Sequence, residues 1–440
     1  MRAEIDNTPP GSWFGLALGL LVISMMTVSP LALIELGFAY DEAGGNALEK
    51  IHPATMLAAV LLLAAGAHAG NPIPWLLANA TESRSLLPYL AVIVLLIVFS
   101  MRVVHLPFTH FFDTFVLPVM IYLLFKDMRE ERGRNLARLV HLLMMVNAGI
   151  GVFEFASGLR LTPIVAGGIV IEDDWRSTAL LGHPLANASL TGCYLLLLSL
   201  GGGRDLPASL RLVAFLLNAA GMVVFGGRAA TVLLIVLLVL LALTRLADIL
   251  RGGRFSPVSV LKGLILVPVS ALIMVVAAEA GFFDRFISRF FDDKGSAETR
   301  AEMFELFNHI PFSELLLAPD ARQIETLQFH YGLDFGIESF WISFVLSYGL
   351  VASLVFFAAL LAFSIDVIRR IGAGSPWAFV FFYGVASTSV SLSAKSPLLG
   401  IFTLMLLVLL RLPRRATAPA VARVPSRRRR PALRHATRSA

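Results

Sequence analysis

Charged residues and cysteine are scarce in this chain, and the sequence signatures of nucleotide chemistry are missing. Only 15% of the 440 residues are charged, against roughly a quarter in soluble proteins, which excludes an ordinary water-soluble domain. The single cysteine, Cys193, excludes a disulfide framework, and no Cys/His cluster exists for zinc. The sequence contains no Walker A loop and no dinucleotide-binding glycine pattern, so we expect neither ATP hydrolysis nor NAD chemistry.

Long hydrophobic runs take the place of these features. Hydrophobic residues make up 57% of the chain, and its mean hydropathy is +0.78. Runs such as LLPYLAVIVLLIVFSM are long enough to span hydrocarbon as helices, which satisfy their own backbone hydrogen bonds. We therefore predict an all-α polytopic membrane protein with about twelve spans and one larger external loop that contains short amphipathic helices. The first run, from Trp13, lacks a small-residue cleavage site, so we expect it to remain as a span.

The distribution of charge predicts the orientation of these spans. They are expected at residues 13–34, 53–69, 86–101, 111–125, 138–157, 178–200, 208–225, 229–245, 260–279, 338–363, 376–393 and 397–411. With both termini in the cytoplasm, 25 of the 36 Lys and Arg residues lie inside and 11 outside, and the ratio is 15 to 6 without the tail and the longest loop. This excess favours a cytoplasmic location for both termini.

The chain divides into a membrane part and a basic end. We expect residues 1–411 to form a single transmembrane domain, with the external loops 158–177 and 280–337 covering the active site. Residues 412–440 are basic and broken by prolines, which predicts a disordered cytoplasmic tail beside anionic lipid. An arginine run behind a last span is typical of topology signalling, so we expect no nucleic-acid partner.

The second external loop has the pattern of short helices. Five phenylalanines fall on one helical stripe, namely Phe282, Phe283, Phe286, Phe290 and Phe291. This stripe predicts a helix that lies in the membrane interface. Ser296 and Thr299 predict the start of a second short helix, which Pro311 ends.

Arginines collect near the predicted outer surface. The five are Arg176, Arg228, Arg285, Arg289 and Arg300. Guanidinium groups bind phosphate oxygens bidentately, so several arginines near one membrane surface indicate an anionic ligand. Arg228 follows two glycines that allow close backbone approach, and snorkelling to the interface is its alternative role. For Arg176 the alternative is an ion pair with Asp173 or Asp174.

Histidines and one glutamate complete the candidate residues. His183 precedes Pro184 in a predicted span, so the helix there is kinked or begins late, and an imidazole in a span is costly enough to suggest function. We expect His183 and Asp174 to line the cavity. His330 and Glu338 end the long loop, and either could act as general base toward a sugar hydroxyl. The alternatives are a solvated loop residue or a helix N-terminal acid.

Four stretches resemble the O-antigen ligase/polymerase superfamily of bacterial polysaccharide enzymes. They are WRSTALLGHPLANA, FGGRAATVLLIVLL, ETRAEMFELFNHIPFSELLLAP and GIESFWISFVLSYGLVASL, in that order between residues 170 and 360. The resemblance implies a metal-independent glycosyltransferase of the bacterial inner membrane that needs no cofactor. Its donor would be an undecaprenyl-diphosphate-linked glycan. Arg176 and Arg228 would bind the pyrophosphate, with Arg289 or Arg300 helping from the loop.

One departure from the family pattern favours a polymerase. Where the ligases carry a His-Asn-type element, this chain reads Gly336-Ile337-Glu338-Ser339, and His330 lies eight residues earlier. We therefore expect a polymerase that builds a surface polysaccharide or exopolysaccharide, in which Glu338 or His330 acts on the acceptor hydroxyl. Expected partners besides membrane lipids are a chain-length regulator or a flippase.

Two other functions stay open. A ligase-type enzyme would transfer the finished glycan to a lipid or protein acceptor. A secondary transporter or exporter of a polysaccharide precursor is the alternative from another class. However, the spans show no repeated halves, and the ionisable residues crowd the outer rim instead of the midplane that a carrier uses.

Overall fold

The fold is helical throughout the part of the chain that the structure describes. The computed structural model describes residues 12–41, 44–46, 48–166, 169–172, 174–252, 275, 278–279, 281–291, 302–333, 336–372, 374–390 and 392–410. Apart from a short antiparallel ladder of β1 (Val165–Ala166) and β2 (Ile169–Val170), its regular elements are helices, as predicted. The predicted tail, Arg300 and nearly all of the predicted span 260–279 lie outside the described residues.

The connections between successive helices range from the single residue Gly349 to long segments such as that between Ser157 and Pro184. In chain order they are α1 (Ser12–Thr27), α2 (Pro30–Glu35), α3 (Pro53–His68), α4 (Pro72–Thr81), α5 (Leu86–Phe99), α6 (Leu117–Phe125), α7 (Glu130–Ser157), α8 (Pro184–Leu197), α9 (Ala208–Phe225), α10 (Arg228–Leu250), α11 (Asp284–Phe291), α12 (Phe312–Leu317), α13 (Ala321–His330), α14 (Phe340–Tyr348), α15 (Leu350–Ile371), α16 (Ser375–Ala386) and α17 (Leu398–Leu409). π-Helical turns extend α5 (Ser100–Val104), precede α6 (Phe112–Val116) and extend α8 (Leu198–Gly202), and a 3₁₀ turn (Leu306–His309) precedes α12.

Within the described residues, six helical stretches are long and apolar enough to cross a membrane, so the predicted count of about twelve is not confirmed. They are Leu86–Val104, Glu130–Ser157, Pro184–Gly202, Ala208–Phe225, Arg228–Leu250 and Leu350–Ile371. A seventh results if α3 and α4, which bend by 104°, form one span. The shorter apolar helices include α16 and α17 with 12 residues each. At 1.5 Å per residue, such a helix covers only about 18 Å of a hydrocarbon core of about 30 Å.

Local helix breaks explain where predicted spans are divided. The span 13–34 is interrupted because the Ser29 hydroxyl accepts a hydrogen bond from the Ala32 amide (3.0 Å) and caps a new helix that begins at Pro30. The span 338–363 is interrupted at Gly349, whose φ is +81°. A Cβ there would lie 2.4 Å from the Leu317 carbonyl oxygen, so no larger residue fits.

The interior and the surface of the bundle are both apolar. Every residue of α17 is buried, and this helix packs against α6, α7 and α8. Around this centre, α5, α10 and α15 expose rows of Leu, Val and Ile. In water such rows would form a large unfavourable patch, whereas in a bilayer they face hydrocarbon. The fold is that of a helical membrane protein.

Polar connections collect at one end of the bundle. Successive long helices run in opposite directions, so the C-termini of α7 and α9 lie beside the N-termini of α8 and α10. We call this end, marked by Ser157, Pro184, Phe225 and Arg228, the site end. The charge count predicts that it faces outward.

Candidate functional site

The polar segment 174–183 crosses the site end and is held there by a buried acid. Glu154, near the end of α7, accepts hydrogen bonds at Oε2 from the amides of Thr178 (2.8 Å) and Ala179 (2.9 Å). Its Oε1 accepts a third from the Leu161 amide (2.8 Å). Hydrogen bonds to a carboxylate are about twice as strong as those between neutral groups. This side chain therefore fixes the backbone of the segment.

Two buried asparagines reinforce this anchor. The Asn147 Oδ1 accepts from the Leu180 amide (3.0 Å), and the Asn187 Nδ2 donates to the His183 carbonyl (3.1 Å). Among the described residues, Asn147 Nδ2 and Asn187 Oδ1 are buried without a hydrogen-bond partner. A water molecule or a substrate hydroxyl that bonded to them would remove the cost of leaving them unpaired. Glu154 was not among the residues predicted from the sequence, although an ionisable residue inside the predicted span 138–157 was the signal for it.

Arg176 is held in a bidentate ion pair with Asp174. The Arg176 Nε donates to both carboxylate oxygens, at 3.0 and 2.8 Å, and Nη2 donates to Oδ2. Asp174 also accepts from the Arg176 amide (3.0 Å). The ion-pair alternative for Arg176 is thus present, with Asp174 as the partner. This pair uses the Nε and Nη2 donors of the guanidinium and does not involve Nη1. The ion pair therefore orients the group and leaves the Nη1 donors for a ligand.

The glycines before Arg228 bring a second arginine-bearing segment against the first. Gly226, with φ at +64°, ends α9, and a Cβ there would lie 3.0 Å from both Cγ and Cδ of Arg176. The Ser177 amide also donates to the Val224 carbonyl (3.1 Å). Arg228 then begins α10 and is half-buried. The predicted close backbone approach therefore occurs, and its neighbour is the aliphatic stem of Arg176.

Gly227→Ala is expected to destabilise the protein by about 1–3 kcal/mol through overpacking. The new methyl group would lie 2.4 Å from the Cβ of Ala188 on α8. The φ of Gly227 is −79°, so the cost is steric and not conformational. The thermal unfolding midpoint of the detergent-solubilised protein measures it. Ala188→Gly removes the contacted methyl but carries the cost of glycine inside α8, about 1 kcal/mol. Gly227→Ala should therefore lower the midpoint of the wild type and not that of Ala188→Gly; an equal drop in both backgrounds would contradict this contact.

His183 starts α8 and does not lie inside it. The helix begins late, at Pro184, and the His183 Nδ1 accepts from the Leu185 amide (3.2 Å). Burial, with the positive charge of Arg176 adding to it and Asp174 opposing it, lowers the pKa of His183 to about 4. At neutral pH the imidazole is uncharged, so it serves as a helix cap beside Arg176 and not as a cation for phosphate.

The long loop that the charge count predicts to be external reaches the segment 174–183 through aromatic contacts. The Phe155 ring lies edge-on to both Trp175 (5.7 Å between centroids) and Phe282 (5.5 Å). The Arg285 guanidinium lies 5.6 Å from the centroid of the same ring, a cation–π contact. Arg289 follows one turn later on α11. The start of the predicted interfacial helix therefore packs against Phe155, whose ring also contacts Trp175, the residue before Arg176.

The two candidate bases lie in another part of the loop. His330, the last residue of α13, is exposed, with its ring edge-on to Tyr331 at 5.1 Å. Glu338 is half-buried two residues before α14. Leu333 and Ile337, which lie between them in sequence, belong to a small separate core of this loop. The described contacts place His330 in this loop and do not bring it to Arg176.

A second polar network at the site end was not foreseen. Asp113, fully buried, accepts hydrogen bonds from the Tyr40 hydroxyl (2.8 Å), the Thr55 hydroxyl (2.6 Å) and the His52 amide (3.0 Å). The buried Lys395 ammonium lies 3.8 Å from the centroid of the Tyr40 ring and donates to the Tyr40 carbonyl. Burial lowers the pKa of Lys395. Asp113 inside a predicted span was the sequence signal for this network.

This network connects directly to the segment 174–183. The His52 Nε2 lies 2.8 Å from the Val28 carbonyl oxygen. A Cβ on Gly182, whose φ is +71°, would lie 2.3 Å from the Ser29 Oγ. The loop from α1 to α2 therefore joins the two polar groups. Within the described part of the chain, no three His, Cys, Asp or Glu side chains lie together as a metal site would require.

Fold and site together define a helical membrane protein with a buried polar framework at one end of the bundle and two arginine-bearing segments in contact above it. No protein-family profile matches the chain, and no curated protein matches it. The resemblance to the O-antigen ligase/polymerase superfamily therefore stays a prediction from its four motifs.

Proposed function

We propose that this chain is a polysaccharide polymerase, a membrane glycosyltransferase that joins glycan units carried on undecaprenyl diphosphate at the site end of the bundle. The observation that supports it most is the contact of the Gly226 turn with the stem of Arg176. Through it, two segments that each carry an arginine meet where the charge count predicts the outer surface. Such a pair of guanidinium groups suits a diphosphate.

The proposed reaction transfers a glycosyl group without a redox step. An acceptor sugar hydroxyl attacks the anomeric carbon of the donor, a new C–O bond forms, and the bond between that carbon and the diphosphate oxygen breaks. The diphosphate leaves with the bonding electron pair and gains negative charge, which Arg176 and Arg228 would stabilise. The hydroxyl proton passes to a base, for which Glu338 and His330 are the candidates.

In this proposal the ion pair with Asp174 holds the Arg176 guanidinium in place for the leaving diphosphate. A guanidinium whose Nε and Nη2 are already bound cannot turn freely, so little reorganisation is needed when the leaving group develops charge. The donors on Nη1 are those that would meet a phosphate oxygen. Glu154 supports the same arrangement from below through the backbone of the segment.

Transfer by the purified full-length protein tests the proposal. With undecaprenyl-diphosphate-linked oligosaccharide in detergent, wild-type protein should form a ladder of longer glycans. Glu338→Ala or His330→Ala, compared at equal donor binding, should lower turnover by about 10²- to 10⁴-fold if that residue is the base. Glu325→Ala, which removes an exposed acid on α13, is the matched control. Normal turnover in both test variants would exclude both residues as the base, and a wild-type protein that forms no ladder would contradict the proposed function.

A further inference from the structure

An apolar groove runs between α5 and α15, away from the segment 174–183. It has a volume of about 420 Å³. Seven of its lining residues come from α5 and its π-helical extension and two from α15, namely Val92, Leu95, Leu96, Val98, Phe99, Arg102, Val103, Ala352 and Val355. Arg102 is the only charged residue among them, and it lies at the end of α5 that belongs to the site end.

The dimensions of the groove match one leaflet. From Val92 to Arg102 the helix advances ten residues, which is about 15 Å at 1.5 Å per residue. The hydrocarbon core is about 30 Å thick, so a groove of this length spans about one leaflet. The charge count predicts that Arg102 lies at the outer surface, which would put the Val92 end of this apolar groove near the bilayer centre.

We infer that this groove holds the single isoprenoid chain of a second lipid-linked glycan, the acceptor, with the lipid phosphate on Arg102. This inference rests on the proposed function, because a polymerase needs a donor and an acceptor at once. Burial of a hydrocarbon chain is favourable along the apolar walls. The guanidinium complements the phosphate in charge and geometry at the membrane surface. A channel between two helices takes one chain, whereas a bilayer phospholipid has two.

The groove and Arg176 are formed by different helices. α5 packs against α15, whereas Arg176 lies among α7, α9 and the head of α8. Both arginines belong to the same end of the bundle. Two lipid carriers can thus approach from different faces of the protein and present their glycans over one surface.

Native mass spectrometry of the full-length protein with undecaprenyl phosphate tests the inference. The wild type should bind two lipid molecules. Val355→Trp, which fills the groove, should leave one, whereas Val351→Trp, on the same exposed side of α15 but outside the groove, should leave two. Arg102→Gln should weaken the second binding event by about ten- to a hundred-fold, the loss expected for a hydrogen bond to a charged group. Arg322→Gln, an exposed arginine on α13, should not.

The outcomes separate the two hypotheses. Two bound lipids in both Val355→Trp and Arg102→Gln would overturn the groove site. Displacement of the second lipid by an equal concentration of phosphatidylglycerol would also overturn it, since the groove would then hold ordinary bilayer lipid. If Arg176→Ala with Arg228→Ala leaves two lipids bound while Val355→Trp leaves one, the donor site of the proposed function fails and the groove stands.

Discussion

Replacing both Arg176 and Arg228 by alanine is expected to abolish polymer formation while the protein still inserts into the membrane. Removal of one preorganised donor to a developing anion costs about 10²- to 10³-fold in rate, and here two would be lost. The diphosphate would leave into a site without compensating charge. The measurement is the polysaccharide chain length in cells that carry each variant, with the amount of membrane-inserted protein determined alongside.

Charge and packing can be separated at Arg176. Its stem fills the space beside Gly226, so alanine also leaves a void, which is destabilising by itself. Arg176→Met keeps an aliphatic side chain and removes the charge. It should be as inactive as alanine and lie between alanine and wild type in unfolding midpoint, because the space is filled while Asp174 loses its Arg176 partner. Arg176→Lys keeps the charge without the bidentate geometry and should retain part of the activity. Arg322→Ala is the control for loss of an exposed arginine on the same loop-bearing side. Polymer of wild-type length from the double variant would refute the proposed site.

Glu154→Ala is expected to lower both the stability and the activity of the protein strongly. The amides of Thr178 and Ala179 would lose their acceptor, and both residues are buried. Each buried donor left without a partner costs about 1–3 kcal/mol, so the free energy of unfolding should fall by about 2–6 kcal/mol. Because the same backbone positions Arg176, transfer should be lost as well. Thermal unfolding in detergent measures the first effect, and the transfer assay measures the second.

A graded substitution identifies the cause. Glu154→Gln retains one acceptor oxygen but presents an NH₂ group where the other oxygen was, so it should lie between wild type and alanine in unfolding midpoint. Glu314→Ala removes an exposed acid from α12 and should leave the midpoint unchanged. A wild-type midpoint for Glu154→Ala would show that this carboxylate does not hold the segment.

Local sequence signals gave the correct position of several boundaries. Pro184 predicted that the helix at His183 is kinked or begins late, and the second alternative is found, since the helix begins at Pro184. The glycine pair before Arg228 predicted a tight turn with close backbone approach, and a methyl group on either glycine would meet a neighbour. Each signal acts through one or two residues, so no distant contact was needed to interpret it.

The candidate site was predictable only in part. Arg176 and Asp174 were singled out because polar residues stand out in an apolar sequence, and their pairing is a contact between residues two apart. The role of Glu154 depends on a hydrogen bond across 24 positions, and Asp113 meets His52 across 61. Hydropathy describes the residues of one window and carries no information on such partners.

The amino-acid sequence is sufficient to identify a helical membrane protein, because apolar runs of this length satisfy their backbone hydrogen bonds in hydrocarbon only as helices. Packing between distant segments determines which apolar runs become long straight helices and which are divided, as at Gly349, where the Leu317 carbonyl approaches the backbone. It also determines that Gly226 lies on Arg176 and that buried acids hold the site end together. Hydrophobic transfer into the membrane depends on the composition of one stretch of chain. Each of these contacts depends instead on how helices far apart in sequence pack against one another.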